Sequence, residues 1–414
     1  MDTSTRKNTA AVQTGNEKIT GYHWKTLWAS TVGYAMDGLD MMILAFTMPL
    51  IIAYFGINAA QAGSISTITL LGSVLGGIVF GILADKYGRV RVFTWTILIF
   101  SVFTALCAIS PNLTTLSIFR FLAGLGLGGE FGIGMTLVSE AWPKKYRSRA
   151  TAVVATGFQF GIVLATLAVL FIAPKFGWQG VFVAGVLPAF LAFWSRKNLK
   201  EPEIWQNLKN ENKNKIAVGQ LFNSSKTTKI TIGLIIATSV QNFGFYGIMT
   251  WMPTMLATEL GVTFNKTTLW TVVTIAGMVI GIIVFGYLAD KIGRRPSYLI
   301  FLFAASIIVW IYFQQSSMSM LLILGGLLGF FVNGMMGGYG ALLAEHYPTE
   351  ARSSAENIIF NIGRAVAGFA PVIIGYLSLE HSLSYALSLI SGIYILSALA
   401  FIFLIPETKG KELT

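Results

Sequence analysis

Apolar runs of roughly 20 residues recur from end to end of this chain, each long enough to cross a ~30 Å hydrocarbon core. Twelve can be drawn: 25–53, 62–84, 92–110, 113–141, 150–173, 179–195, 230–256, 268–289, 297–313, 320–344, 356–378 and 384–405. Within lipid, a spanning segment must satisfy its own backbone hydrogen bonds, which leaves helices or closed barrels. Runs of this length mean helices, so the sequence predicts an all-α membrane protein with 12 transmembrane helices. Only 11% of residues are charged, against about 25% in a soluble domain.

The formal net charge of +11 raises the question of a nucleic-acid partner, and the placement of the charge answers it. With both termini on one side, 25 of the 29 Lys and Arg fall in that side's tails and loops or at span ends facing them, and two, Lys175 and Lys266, fall opposite. This is the bias of a cytoplasmic face. It predicts a multi-pass protein of the cell's inner membrane with both termini cytoplasmic, the lipid bilayer and no nucleic acid as partner, and a monomer. Residues 1–20 read as a disordered cytoplasmic tail without a leader. Cys107 stands alone in an apolar run, so neither an internal disulfide nor a thiolate metal site is expected. His23, His346 and His381 lie near span ends. There is no Ser-His-Asp set, metal cluster or nucleotide loop, and the expectation is no catalytic residues, no metal, no cofactor and no enzyme activity.

The chain repeats itself. Gly81-Ile-Leu-Ala-Asp85-Lys86-Tyr-Gly88-Arg89 returns as Gly286-Tyr-Leu-Ala-Asp290-Lys291-Ile-Gly293-Arg294, 205 residues on. Glu140-Ala-Trp-Pro143 with Arg147 returns as Glu345-His-Tyr-Pro348 with Arg352, again at 205, and Pro202-Glu203 returns as Pro406-Glu407 at 204. The reading is two pseudo-symmetric six-helix bundles, 21–195 and 230–405, joined by a cytoplasmic linker, 196–229, and followed by a tail, 406–414. Parallel halves of this kind enclose a site near the midplane and rock about it.

Charge inside the membrane costs at least ~2.5–3.5 kcal/mol per group and so marks function by default. The intramembrane charges are Asp37 and Asp40 in span 1, Arg120 and Glu130 in span 4, and Arg364 in span 11. Asp37 and Asp40 are three residues apart on one helix face, and two anions that close in low dielectric cannot both stay ionised cheaply. At least one is a candidate proton carrier. Glu130 is a second proton candidate or a structural hydrogen-bond partner. Arg364, with Asn357 and Asn361 on nearby turns, is a candidate carboxylate receptor, since guanidinium binds carboxylate in a bidentate fork; the alternative is a structural pair with an acid such as Glu130. Glu140, Glu345 and Glu356 lie at span ends and read as structural, closing loops with Arg147 and Arg352. The amides Gln159, Gln241, Asn242, Asn333 and Asn361, with Tyr34 and Tyr246, are the remaining candidate substrate contacts, because an unpartnered amide in lipid is costly. Span 5 has Phe158 and Phe160, span 7 Phe243, Phe245 and Trp251, and span 10 Phe330, Phe331 and Tyr339.

The paired Gly-x-x-x-Asp-Lys-x-Gly-Arg loops resemble the signature loop of the major facilitator superfamily, and the likeness covers the whole chain. It implies the major facilitator fold, with Gly81, Asp85, Gly88, Arg89, Asp290 and Arg294 forming latches between the halves. Arg120-x-x-x-Gly124-x-Gly126-x-Gly128-Gly129-Glu130 resembles a second motif, in which the helix 4 arginine faces the helix 1 acid. That implies an Arg120 pair with Asp37 or Asp40. Asp37-Gly38-Leu39-Asp40 together with Arg120 and Arg364 resembles the aromatic acid:proton symporters, with sialate:proton symporters near by. There the positions matching Asp37, Asp40, Arg120, Glu140, Arg352 and Arg364 matter for uptake, and the substrates are benzoates, hydroxybenzoates or cis,cis-muconate. The expected function is import of a small organic acid with protons. The other readings are a sialate or monocarboxylate symporter, a drug:proton antiporter, disfavoured because span 5 lacks an internal proline, and a receptor that signals through 196–229.

Overall fold

The computed structural model of the protein describes residues 19–57, 59–186, 190, 199–210, 217–261 and 264–413. In the first half, α1 (Gly21–Phe55), α2 (Ala59–Tyr87), α3 (Arg89–Cys107), α4 (Leu113–Ala141) and α5 (Arg147–Ala184) follow in order. After the short linker helix α6 (Glu203–Asn210), the second half has α7 (Ser225–Thr258), α8 (Phe264–Ile292) and α9 (Arg294–Tyr312). It continues with α10 (Met318–Gly334), α11 (Met336–His346), α12 (Thr349–Ala367), α13 (Ala370–Glu380), α14 (Leu383–Ser388) and α15 (Ile390–Phe403).

Among the described residues, eleven helical segments are long and apolar enough to cross a membrane, consistent with the twelve helices of this fold class. Residues 187–189 and 191–195 of the expected sixth span, 179–195, lie outside the described residues, as do 1–18 of the tail and 196–198 and 211–216 of the linker. Three expected spans are interrupted. Span 10 breaks at Met335 between α10 and α11, span 11 at Gly368–Phe369 between α12 and α13, and span 12 at Leu389. Spans 5 and 6 run on through α5, which carries Pro174 and turns at Gly177, where φ is 63°.

Glycines set how closely helices approach. A Cβ on Gly128 of α4 meets the backbone of Ser73 and Gly77 on α2, so this crossing is backbone on backbone, the small-residue packing that lipid-embedded helices use in place of a hydrophobic drive. A Cβ on Gly81 of α2 would meet Asn357 Cβ and Ser354 Cα of α12, in the opposite half, and one on its repeat partner Gly286 of α8 would meet Ala152 Cβ and Ser148 O of α5. The halves therefore meet along α2–α12 and α5–α8.

Gly88 and Gly293 have φ of 113° and 114°, a region that excludes side chains. Each lets the chain turn from one helix directly into the next, whose first amides are capped from afar. Glu201 accepts from Val90 N and Arg91 N, both at 3.1 Å. Glu407 accepts from Arg294 N and Arg295 N, both at 2.9 Å. The repeated element after each half is thus the glutamate pair Glu201 and Glu407, rather than Glu203 and Glu407 aligned on their prolines. A carboxylate on a helix N-terminus is favoured by the exposed amides and the dipole.

Candidate functional site

Two acid–arginine pairs sit in the middle of the bundle. Asp40 is held inside the first half. Arg120 Nη1 donates to its Oδ1 at 3.1 Å, Arg120 Nη2 lies 2.9 Å from Oδ2, and the Thr104 hydroxyl donates to Oδ1 at 2.5 Å. Arg120 also reaches Thr69 Oγ1 at 3.4 Å and lies over the Phe182 ring. Of the two partners open to Arg120, it takes Asp40.

Asp37 turns the other way. Its Oδ2 accepts from Arg364 Nη2 at 3.0 Å, across the interface from α1 to α12. Arg364 is therefore not a solitary cation, and its partner is Asp37 rather than Glu130. The pair is loosely tied. Asp37 Oδ1 and Arg364 Nε are buried without hydrogen-bond partners, and Arg364 Nη1 has only Ser73 Oγ at 3.4 Å. Ser73 in turn donates to Asn361 Oδ1 at 3.2 Å.

Arg364 is also part of a cavity wall. The cavity lies between the halves, with about 350 Å³ of empty space, lined by Tyr34, Ala155, Phe158 and Gln159 from one half and by Gln241, Asn242, Phe245, Tyr246, Asn333, Met336 and Arg364 from the other. Seven of the expected contacts come together here: Tyr34, Gln159, Gln241, Asn242, Tyr246, Asn333 and Arg364. Their hydrogen-bonding capacity is partly unspent, since Gln159 Oε1, Gln241 Oε1, Asn333 Nδ2 and Arg364 Nε have no partner. Gln241 Nε2 reaches Asn333 Oδ1 at 3.4 Å, and Asn242 Nδ2 returns to Thr238 O at 2.8 Å.

Asn361 is a correction. It lies outside the cavity lining, where its Nδ2 donates to Gly128 O and Asn357 O, both at 2.9 Å, joining α12 to α4. Glu130 faces α3, where Thr96 donates to its Oε1, rather than the Asp pair. Among the aromatics, Phe160 is exposed on the outer surface, Trp251 donates to Pro371 O, and Tyr339 donates to Ala237 O. Ser73, Thr104 and Met336 were not singled out from sequence.

At the face bearing the two repeated Asp-Lys-x-Gly-Arg loops, the basic face, the halves are locked by a near-twofold network. Asp85 accepts from Ser353 N (3.2 Å) and Ser354 N (2.8 Å) at the start of α12. Asp290 accepts from Ser148 N and Arg149 N, both at 3.2 Å, at the start of α5. Both repeats form the latch.

Glu140 binds Arg89 of its own half through Nε (3.1 Å) and Nη2 (3.0 Å), and Arg352 of the other half through Nη1 (2.7 Å). Glu345 binds Arg294 through Nε (3.0 Å) and Nη2 (2.8 Å), and Arg147 of the other half through Nη1 (2.9 Å). The expected pairing of glutamates with Arg147 and Arg352 is thus realised across the halves. Apart from Asp37–Arg364, the ion pairs between halves seen among the described residues all lie at this face, which is closed.

Comparison with known proteins gives one family. The pattern of the Major Facilitator Superfamily matches residues 31–270 and 234–414. A Haemophilus influenzae chain whose name says only metabolite transport is 51% identical over 96% of this chain and 99% of its own. The sialic acid transporter NanX of Escherichia coli is 31% identical over 94% and 95%, and the cis,cis-muconate transport protein of Acinetobacter baylyi 29% over 95% and 97%. The solved proton:xylose symporter XylE, bound to 6-bromo-6-deoxy-D-glucose, superposes with a TM-score of 0.81 at 18% identity, covering 95% of this chain and 98% of that one. That last likeness concerns the fold.

Proposed function

Because the chain belongs to the Major Facilitator Superfamily, and so is a membrane transport protein rather than an enzyme, we propose that it imports a small organic acid anion, an aromatic acid or a muconate-like carboxylate, with protons. The observation that carries this reading is the single bond between Asp37 and Arg364 on the wall of an amide- and aromatic-lined cavity. Arg364 belongs to one half and Asp37 to the other.

A substrate carboxylate and Asp37 compete for the same guanidinium. Protonation of Asp37 removes its claim and frees Arg364 for the anion, which makes a bidentate fork where Asp37 uses one oxygen. The unspent Gln159, Gln241 and Asn333 groups then orient the rest of the substrate. With the proton on Asp37 and the anion on Arg364, the midplane carries no excess charge, and the halves can rock about it. Release to the opposite side lets Asp37 ionise and take Arg364 back. Asp40 and Arg120 stay together as a fixed structural pair. A monoanion moving with one proton transfers no net charge, so the pH gradient alone drives it. The Lys/Arg bias makes the basic face cytoplasmic, and the closed arrangement is then the one that receives substrate from outside.

The test is reconstitution in vesicles with an internal pH dye, adding benzoate, 4-hydroxybenzoate, cis,cis-muconate, sialate and lactate in turn. Internal acidification with an aromatic acid or muconate, abolished in Asp37→Asn, is the expected result. Uptake of a labelled acid with no acidification by any of them overturns the symport reading. The four cavity amides favour a second reading, a polyhydroxylated acid such as sialate, and acidification by sialate alone selects it.

A further inference from the structure

Glu356 is a buried carboxylate to which transport as proposed gives no role. It lies one turn beyond Arg352 on α12, and about 12 Å along the helix from Arg364 at 1.5 Å per residue. It is fully buried, and neither of its carboxylate oxygens has a hydrogen-bond partner. The fold does not need a charge there. The position 205 residues earlier is Thr151, whose hydroxyl is satisfied by backbone carbonyls, among them Gly337 O across the interface at 3.4 Å.

Among the described residues, the groups facing Glu356 leave it no counter-ion. From α4 come Thr136, whose hydroxyl also lacks a partner, and Glu140, a like charge. Arg89 of α3 and Arg352 of α12 are both bonded to Glu140. Asp85 of α2 is held by the Ser353 and Ser354 amides, and Glu345 of α11 by Arg294 and Arg147. The His346 ring is bonded to Leu342 O. Between Thr231 and Phe245, α7 has no titratable side chain, and Glu203 of α6 is exposed. An unpaired anion buried at a closed interface beside another carboxylate is strongly unfavourable. A neutral carboxyl escapes that penalty.

We propose that Glu356 is a proton-binding site of the gate at the basic face, protonated when the halves close there and deprotonated when they part. On opening, water enters the α4–α12 seam, and the carboxyl O–H passes its proton to that water, leaving a hydrated carboxylate. On closure a proton returns from the same compartment. The gate thereby senses the pH of that compartment independently of which substrate is carried.

One bound proton makes closure tenfold more favourable for each unit that pH falls, above the ~4.3 of a hydrated glutamate. At pH 7 the open form must first acquire that proton, which opposes closure on the order of 500-fold (2.7 pH units). Glu356→Gln removes that opposition.

The experiment places spin labels at Lys86→Cys and Lys291→Cys, two exposed sites on the repeated loops of the two halves, in a Cys107→Ser background in nanodiscs. The separation is read between pH 5.5 and 8. The short-distance, closed population of the otherwise wild-type protein is expected to grow as pH falls. In Glu356→Gln it is expected to be large at every pH. Glu356→Thr, the residue of the mirror position, repeats the test should the Gln variant not fold. In an Asp37→Asn background, Glu356→Gln is expected to remove the pH dependence that Asp37→Asn alone retains, which separates this site from the central one. A wild-type population insensitive to pH, a closed population that shrinks as pH falls through this range, or an unchanged slope in both Glu356 variants overturns the proposal.

Discussion

Glu140→Gln tests whether the basic face is a gate. Glu140 receives three guanidinium N–H groups: two from Arg89, at 3.1 and 3.0 Å, and one from Arg352, at 2.7 Å. The Arg89 bonds lie within one half and persist however the halves rock. Only the Arg352 bond is made in the closed form and broken in the open one, so only its loss moves the equilibrium. A hydrogen bond to a charged group contributes ~1.5–3 kcal/mol and a neutral one ~0.5–1.5 kcal/mol. Glutamine keeps the neutral part, so closure weakens by about 1–2 kcal/mol, or five- to thirtyfold at 1.4 kcal/mol per decade.

Hydrogen exchange read by mass spectrometry reports this directly. Exchange should rise in 85–91, 140–149 and 345–354, and stay unchanged in the opposite-face turns 108–113 and 313–318. Glu345→Gln, which loses the equivalent Arg147 bond of 2.9 Å, should give the same pattern. No change, or an equal rise along every helix, refutes the assignment, the second because it means general loosening rather than opening.

Arg120→Gln leaves Asp40 buried without its partner, and breaking a buried pair costs ~3–5 kcal/mol. The unfolding midpoint in detergent should fall markedly, and Arg120→Gln combined with Asp40→Asn should recover part of the loss. Asn361→Ala should leave KM for the transported acid near its original value while lowering the maximal rate, since Asn361 joins α12 to α4; Gln241→Ala and Asn333→Ala should raise KM several-fold, as both line the cavity. Gly128→Leu forces a side chain into the Ser73 and Gly77 backbone and should yield protein that fails to reach the membrane in folded form, checked by fluorescence-detected size exclusion.

What the sequence made legible is what depends on repetition and on cost in lipid. The 205-residue repeat identified both latches, and the structure realises each with the aspartate on the other half's helix N-terminus. The costliness of amides and charge in lipid pointed to five of the groups that now line the cavity, Gln159, Gln241, Asn242, Asn333 and Arg364. What could not be read was azimuth. Asp37 and Asp40 stand three residues apart, near enough to look like one dyad, yet one reaches across to α12 and the other into α4, since a three-residue step leaves side chains about 60° apart around the helix. Asn361 and Arg364 have the same spacing, and only Arg364 reaches the cavity.

Ser73 and Thr104 escaped notice because a hydroxyl in a membrane helix usually satisfies itself on the preceding turn, as Thr47 and Thr69 do here. Nothing in their sequence context separates them from those. The two prolines align Glu203 with Glu407, but the carboxylate that caps α3 is Glu201, two residues earlier.

The account turns on Asp37 and a substrate carboxylate sharing Arg364 according to the proton. The most direct measurement compares two modes of transport in Asp37→Asn vesicles, using whichever acid the wild-type protein carries. One is equilibrium exchange of labelled for unlabelled acid; the other is accumulation driven by an imposed pH gradient. The account predicts that exchange survives, since Arg364 is free to hold the anion, while accumulation is lost. Gradient-driven accumulation in Asp37→Asn at the wild-type level contradicts it.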